Sequence, residues 1–306
     1  MEFDQLRHFT RVAELGNFTK AAAAVGLSQP ALSRSIARLE DELGQPVLER
    51  QTRRATLTDA GRLLLDRARR ILFLVDDAKA EIRDDGRTGR IRVGAIPTIA
   101  PYLLPRFLWE FRRSSPDATV IVQEDATEDL LRKLADGEVD VALLARPVKA
   151  KHPRIEDLFE EELLLVMSAD NPLRAKTRPR MADIESLPFV LLGEAHCLTD
   201  QILGFCRHNA VHPVSVERTS QLATVQELVA LNHGVSMIPA MARALDSSDR
   251  RVYRSMAGAR PTRRIVMAWN PDRFQSRLVE EFKQQLRNHA ANEPPMAKPT
   301  RPTRDH

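Results

Sequence analysis

Residues 19 to 39, TKAAAAVGLSQPALSRSIARL, restrict the fold more tightly than any other stretch, because they impose a short helix, a tight turn and a second helix in fixed order. Thr19 is placed to cap the alanine run Ala21 to Ala24. Gly26 supplies the turn conformation that glycine adopts at little cost, and Leu27 anchors it. Ser28 then caps the next helix, with Pro30 in its first turn, where a missing N–H costs nothing. Ala31, Leu32, Ile36 and Leu39 form the inward face of that helix up to Leu43-Gly44. Upstream, Phe3, Leu6, Phe9, Val12 and Ala13 recur at helical spacing and predict a preceding helix that fades at Gly16 and Asn17.

This is the helix-turn-helix plan, whose second helix enters the major groove by its N-terminal half. Its outward face carries Ser28, Gln29, Pro30, Ser33, Arg34 and Arg38. Gln and Arg can pair bidentately with base edges, while Ser and the more distal Arg suit phosphates. The run VLERQTRRATLTDAG follows Pro46 and predicts two short strands around Arg50, Arg53 and Arg54, a wing that brings cations to a DNA backbone. A helical bundle with a solvated polar face is the competing reading.

From Thr58 to Arg83 there is no proline, and the only glycine is Gly61. Leu64, Ala68, Ile71, Val75, Ala78 and Ile82 step by 4, 3, 4, 3 and 4, a seam suited to pairing with a second copy of the chain. A helix packed on its own domain is the alternative. Asp84 to Gly89 breaks the helix and reads as a hinge. Beyond it, strand-like and helix-like stretches alternate: RIRVGAI, YLLPRFLWEFRR, TVIVQED, TEDLLRKLADG and VDVALLA. They predict β-α-β units and a largely parallel sheet. A second group runs from LLLVMSA near Leu163 through LPFVLLG, PVSVERT, TVQELVALNHG and VSMIPA. RRIVMAWN and the helix FQSRLVEEFKQQLRNHA then return to the first group. The segment after Ala291, rich in Pro, Lys and Arg, is expected to be disordered.

A chain of 306 residues, 43% apolar, can bury a substantial core, most naturally split between two domains. No apolar run approaches the roughly 20 residues of a membrane helix, and MEFDQLRHF lacks the layout of a signal peptide, so a cytosolic protein without a membrane partner is expected. The net charge of +4 is compatible with an anionic partner, although 42 acidic residues offset most of the base.

Both cysteines lie in one segment, HCLTDQILGFC, nine positions apart. In a reducing compartment such a pair points to metal binding, transient redox chemistry or burial. The spacing is not a zinc-ligand spacing, and no metal is expected. Phe189 to Leu192 predicts a buried strand, and Leu198 to His208 a helix with Leu198, Ile202 and Phe205 on one face. Cys197 then stands at the helix N-terminus, where the dipole and nearby His196 should favour its thiolate. Cys206 falls on or beside the apolar face, where a thiol is inert. Nine residues of helix separate the two Cα atoms by about 13 Å, whereas a disulfide needs about 7 Å or less. A bond between them therefore requires the helix to unwind.

The N-terminal segment, LRHFTRVAELGNFTKAAAAVGLSQPALSRSIARLEDELGQPVLERQTRRATLTDAG, resembles the winged helix-turn-helix of the LysR-type transcriptional regulators almost end to end. The wing lacks the aromatic usual in that family. The alternating second half resembles the family's two-lobed, periplasmic-binding-protein-like effector domain. GEAHCLTDQILGFC, IPTIAPYLLP and the run from TSQLATVQELVALNHGVSMIPA to TRRIVMAWNP resemble the peroxide-sensing branch of that family. The resemblance departs at Asn232-His233, where the family pattern is smaller and richer in glycine.

The implied plan is a winged helix-turn-helix over residues 1–58, a linker or dimerisation helix and hinge over 59–87, a two-lobed α/β regulatory domain over 88–290 and a disordered tail over 291–306. The resemblance implies that Cys197 reacts with hydrogen peroxide and that Cys206 resolves the product as a reversible disulfide. It also implies a polar pocket of Thr98, Thr127, His196, Asp200 and Arg263 around the peroxide. Read alone, Thr98 is a turn hydroxyl, Thr127 a cap for EDLLRKL and Arg263 a solvated charge.

The partners implied are double-stranded DNA, a second copy of the chain with dimers pairing into a homotetramer, RNA polymerase, and a thiol reductant of the glutaredoxin or thioredoxin type. No cofactor and no enzymatic turnover are expected, and activation of transcription is the expected output. Two rival readings remain. One is a LysR-type regulator with idle cysteines, whose small-molecule inducer binds between the lobes with Thr98 and Thr127 as ligands. The other is a cysteine-based peroxidase.

Overall fold

The computed structural model describes residues 1–50, 55–83, 89–150, 152–193, 196–209, 211, 214–258 and 260–292. Arg53 and Arg54 of the expected wing, residues 84–88 of the hinge and the segment beyond residue 292 lie outside the described residues. The chain forms two compact units.

The first unit contains α1 (Phe3–Leu15), α2 (Phe18–Ala24), α3 (Gln29–Leu43), β1 (Leu48–Arg50), β2 (Ala55–Leu57) and α4 (Asp59–Arg83); the short segment Asp272–Ser276 clusters with it. Leu6, Phe9, Val12, Ala21, Leu32, Ile36 and Leu39 close one core. Phe3, expected on the inner face of α1, is instead 54% exposed, because it opens the helix one turn before the neighbouring helices can cover it. Gly26 has φ of +70°, as the turn requires. The Ser28 side chain accepts from the Ala31 N–H at 3.4 Å, so the cap on α3 stands as expected.

The cap on α2 does not. Asn17, not Thr19, is the N-cap, and its side chain accepts from the Lys20 N–H at 2.9 Å. Thr19 lies inside the first turn, too late to reach the free N–H groups. Asn17→Ala is therefore expected to cost about 1 kcal/mol of unfolding free energy. The exposed Thr19→Ala should stay within about 0.5 kcal/mol. Thermal denaturation of the two full-length variants checks this, and an equal loss in both would contradict the assignment.

The two short strands pair antiparallel, and the Glu40 carboxylate on α3 accepts from the N–H groups of Val47 and Leu48, tying the wing to the helix before it. The seam on α4 is partly used up within the chain itself. Ala68 is fully buried, and Leu64 and Ile71 pack on the core of the first unit. Three helices leave that core open on one side, and the N-terminal half of α4 closes it. Val75 is half-buried, Ala78 is exposed, and Ile82 is 86% exposed. Leu63 near the start of α4 and Leu74 nearer its end are also exposed apolar side chains.

The second unit begins with β3 (Gly89–Ala95), α5 (Ala100–Ser114), β4 (Ala118–Glu124), α6 (Thr127–Asp136), β5 (Val141–Ala145) and β6 (Arg154–Ser168). It continues with β7 (Pro188–Leu192), α7 (Cys197–His208), β8 (Val214–Thr219), α8 (Leu222–Ala230), β9 (Ser236–Pro239), α9 (Ala240–Ala244), β10 (Arg251–Arg254), β11 (Thr262–Trp269) and α10 (Arg277–Ala291). The β-α-β units are present, with β3 parallel to both β4 and β5 and β7 parallel to β8. The main sheet as a whole is mixed, not largely parallel, because β11 runs antiparallel to β5 and β6, and β6 antiparallel to β9 and β10.

LLLVMSA is not a separate strand but the far half of β6. That 15-residue strand pairs with β11 along its first half and with β9 and β10 along its second. Two cores result. One contains Ile91, Val93, Phe107, Phe111, Leu143, Val266 and Phe282, and the other Leu165, Met167, Phe189, Leu191, Ile202, Cys206 and Val229. These are the two lobes of the domain, joined by β6. Among the described residues no helix is long and apolar enough to cross a membrane.

Candidate functional site

The strand β7 is buried and delivers the chain to α7, whose first residue is Cys197. His196 is the N-cap residue but its side chain makes no capping hydrogen bond. The Thr199 hydroxyl donates to the Leu192 carbonyl at 2.9 Å and fixes the first turn of the helix to the end of β7. The inner face of α7 is Leu198, Thr199, Ile202 and Cys206; Phe205, expected there, is only half-buried.

The two sulfurs serve different cores. Cys197 packs against the core of the first lobe, whereas Cys206 is completely buried in that of the second. Both thiols are free, and the helix between them is unbroken. At the rise of an α-helix their Cα atoms are about 13 Å apart, beyond disulfide reach.

A small cavity of about 10 Å³ is lined by Ile96, Pro97, Thr98, Ala126, Thr127, His196 and Cys197. That is about the space one water-sized molecule requires. Thr127 does not cap α6; it is the first residue of the helix and lines the small cavity beside Cys197. Arg263, on β11, is fully buried and not a solvated charge. Its Nη1 donates to Thr98 Oγ1 at 2.8 Å and its Nη2 to the Thr98 carbonyl at 2.9 Å. Its Nε donates to Glu161 Oε1 at 2.7 Å. Arg263 thus stands behind Thr98 and orients it.

Asp200 is placed differently from the other four. It lines a larger cleft of about 620 Å³ with Thr127, Glu128, Asp129, Lys149 and Cys197. Cys197 therefore borders a small cavity and a larger cleft at once.

The Cys197 thiol is not shifted toward thiolate. Burial pushes its pKa up; the Arg263 charge and the Thr127 hydrogen bond oppose this, and the Asp200 carboxylate adds to it. Desolvation of the charged form outweighs the helix N-terminus and the cation together. Burial raises the Cys206 thiol to about 11, with Arg207 only partly opposing.

Glu161 was not legible as a site residue. Oε1 accepts from Arg263, Oε2 accepts from the Met241 N–H at 3.1 Å, and the side chain is buried. Met241 Sδ lies 3.9 Å from Arg263 Nη2. A signal existed in the text of the chain, since EEE at 160–162 and TRR at 262–264 carry opposite charges in strand-like segments. Their register pairs Arg263 with Glu161, but nothing local reveals that register.

On the first unit, Ser28, Gln29, Pro30, Arg34 and Arg38 are exposed along α3, and Ser33 is half-buried. Arg50 ends β1. A further tie missed by sequence reasoning is His8 Nδ1 to Ser35 Oγ at 2.8 Å, which joins α1 to the inner face of α3. Among the described residues no group of three or more His, Cys, Asp or Glu side chains could hold a metal ion.

A winged helix-turn-helix carried on the same chain as a two-lobed α/β domain defines a one-component, DNA-binding regulator. Residues 3–62 match the bacterial regulatory helix-turn-helix model of the lysR family, and residues 84–291 match the LysR substrate binding domain. The chain belongs to the LysR family. It is 37% identical over 86% of its length to a probable hydrogen peroxide-inducible genes activator of Mycobacterium leprae, covering 86% of that protein.

Two solved structures are similar along the whole chain. A full-length cysteine-to-aspartate variant of OxyR from Pseudomonas aeruginosa is 29% identical with a TM-score of 0.77, covering 95% of both chains. A cysteine-to-serine variant of OxyR from Corynebacterium glutamicum with hydrogen peroxide bound is 31% identical with a TM-score of 0.64 and covers 94% of this chain and 92% of that one.

Proposed function

We propose that the protein is a transcriptional regulator that senses hydrogen peroxide through Cys197 and Cys206. The single observation that carries this reading is the placement of Cys197 against a cavity for one small molecule, lined by two threonines and a histidine, while Cys206 is sealed in the other core on the same helix. The similarity to proteins named for induction by peroxide supports it.

In this reading Thr98, Thr127 and His196 hold the peroxide, Arg263 orients Thr98, and Asp200 guards the open side of Cys197. The Cys197 thiolate attacks one peroxide oxygen; the S–O bond forms, the O–O bond breaks, and the hydroxide released takes a proton to become water. The Cys206 thiolate then attacks the Cys197 sulfur, displacing a second hydroxide that leaves as water. Two thiols and one peroxide thus give one disulfide and two waters. Because the disulfide cannot span an intact helix, α7 unwinds and Cys206 leaves its core, so the bond selects a second conformation.

The output is a changed presentation of α3 on double-stranded DNA by a homo-oligomer, a dimer or dimer of dimers, favouring transcription by RNA polymerase. A glutaredoxin- or thioredoxin-type dithiol resets the switch. The protein acts as a stoichiometric sensor, not as an enzyme, in the cytosol.

The test is non-reducing peptide mapping before and after micromolar peroxide, with DNA footprinting of both forms. Cys197→Ser should abolish the peroxide response with DNA binding intact, and Cys206→Ser should accumulate sulfenic acid on Cys197. The cleft beside Cys197 favours a second reading, a small-molecule inducer with idle cysteines. That reading predicts that a Cys197→Ser protein still answers its inducer, whereas loss of all peroxide response in that variant, with DNA binding intact, favours peroxide sensing.

A further inference from the structure

Gly204 lies inside α7, seven residues after Cys197 and two before Cys206. Glycine in a helix interior is less favourable than alanine, and its presence there is explained where another backbone comes too close to admit a Cβ. Gly61, inside α4, is such a case, since a Cβ there would collide with the Val47 carbonyl oxygen. Gly204 is not. Its backbone is helical, and a Cβ would meet nothing within 4 Å. It faces an open groove, with Phe205 and His208 beside it.

The start of α7 is held differently from its middle. The Thr199 hydroxyl donates to the Leu192 carbonyl and ties the first turn to β7, whereas Gly204 has no side chain with which to hold the helix. The helix is therefore weakest in its middle. What holds it there is the buried stripe Leu198, Thr199, Ile202 and Cys206, one member of which is the residue that must leave for a disulfide to form.

We infer that Gly204 sets the resolving step of the redox reaction: by lowering the helical stability of α7, it poises the equilibrium between the dithiol helix and the unwound disulfide. The inference rests on the reading that Cys197 and Cys206 join. The reaction it governs begins from Cys197 sulfenic acid. The Cys206 sulfur forms the S–S bond, the S–O bond breaks, and the hydroxide leaves with a proton as water, peroxide being the oxidant. Gly204 touches neither peroxide nor sulfur; it is a positioning residue that acts through the backbone.

The experiment compares the wild-type chain with Gly204→Ser and Gly204→Ala, each equilibrated in a graded dithiothreitol redox buffer and read by non-reducing peptide mapping. On the helix-propensity scale the ratio of disulfide to dithiol should fall about twofold for Ser and about fourfold for Ala. The fourfold change corresponds to a midpoint about 18 mV more oxidising. Sulfenic acid formation on Cys197, measured in the Cys206→Ser background, should proceed at the same rate with Gly, Ser or Ala at position 204. The Tm of the reduced form should rise from Gly through Ser to Ala while that of the disulfide form stays constant.

Equal midpoints for the three chains, or equal Tm gains in both redox forms, would overturn the inference while leaving peroxide sensing intact. A wild-type chain that forms no Cys197–Cys206 bond with peroxide would overturn the sensing reading and this inference with it.

Discussion

Arg263→Met is expected to destabilise the protein by about 3 to 5 kcal/mol, the usual result of removing one partner from a buried ion pair. Glu161 would be left, among the described residues, with the Met241 N–H as its remaining donor, and Thr98 would lose two donors at once. Adding Glu161→Gln to the same chain should recover part of the loss, because the stranded charge is gone. A double-mutant cycle by urea denaturation measures that coupling. Arg263→Lys separates charge from geometry: the cation near Cys197 remains, but one ammonium cannot serve Glu161 and both Thr98 oxygens in the planar arrangement of the guanidinium. If Arg263→Met costs less than about 1 kcal/mol, the buried pair is not what holds Thr98 against the cavity.

The second large effect is on the pH dependence of the first oxidation step. Only the thiolate attacks peroxide, and burial raises the Cys197 pKa above that of an ordinary thiol despite the Arg263 charge. The thiolate fraction therefore rises with pH throughout the neutral range. In a Cys206→Ser chain, the rate of sulfenic acid formation should increase about tenfold per pH unit, or about 100-fold from pH 6 to pH 8, as for any thiol below its pKa. Arg263→Lys should keep this profile, whereas Arg263→Met should move it to still higher pH. A plateau below pH 8 would show that the thiolate is stabilised after all. The expected profile also locates the source of sensitivity. A site with little thiolate gains its rate from holding peroxide in line with the sulfur, which proximity and oriented donors can supply.

Much of the first unit is legible in the sequence because helix caps and turns act within a few residues. Ser28, Gly26 and the stripe Leu32, Ile36 and Leu39 carry their own instructions, and the structure follows them. Where the structure differs, two neighbouring candidates competed, as with Asn17 and Thr19; on α4, Leu64, Ala68 and Ile71 serve the core of the first unit, a use that spacing alone does not separate from pairing. The same locality explains why α7 could be placed, with Cys197 at its start and Cys206 on its buried side.

The Cys197 environment was misread for the converse reason. The helix N-terminus and His196 are visible as neighbours in the chain and suggest a favoured thiolate. The opposing desolvation comes from packing by segments near positions 96 and 126, far away in sequence.

By itself the sequence determined the helix-turn-helix head, the strand–helix frame around the cysteines and the impossibility of joining two sulfurs across an intact helix. Each follows from residue spacing and backbone geometry within one element. Only the tertiary structure decided that the sheet is mixed, that Arg263 is buried against Glu161 and Thr98, and that Cys197 borders both a small cavity and a larger cleft. Strand register and desolvation depend on partners about a hundred residues apart, and the energy of a buried charge is set by those partners and not by its neighbours in the chain.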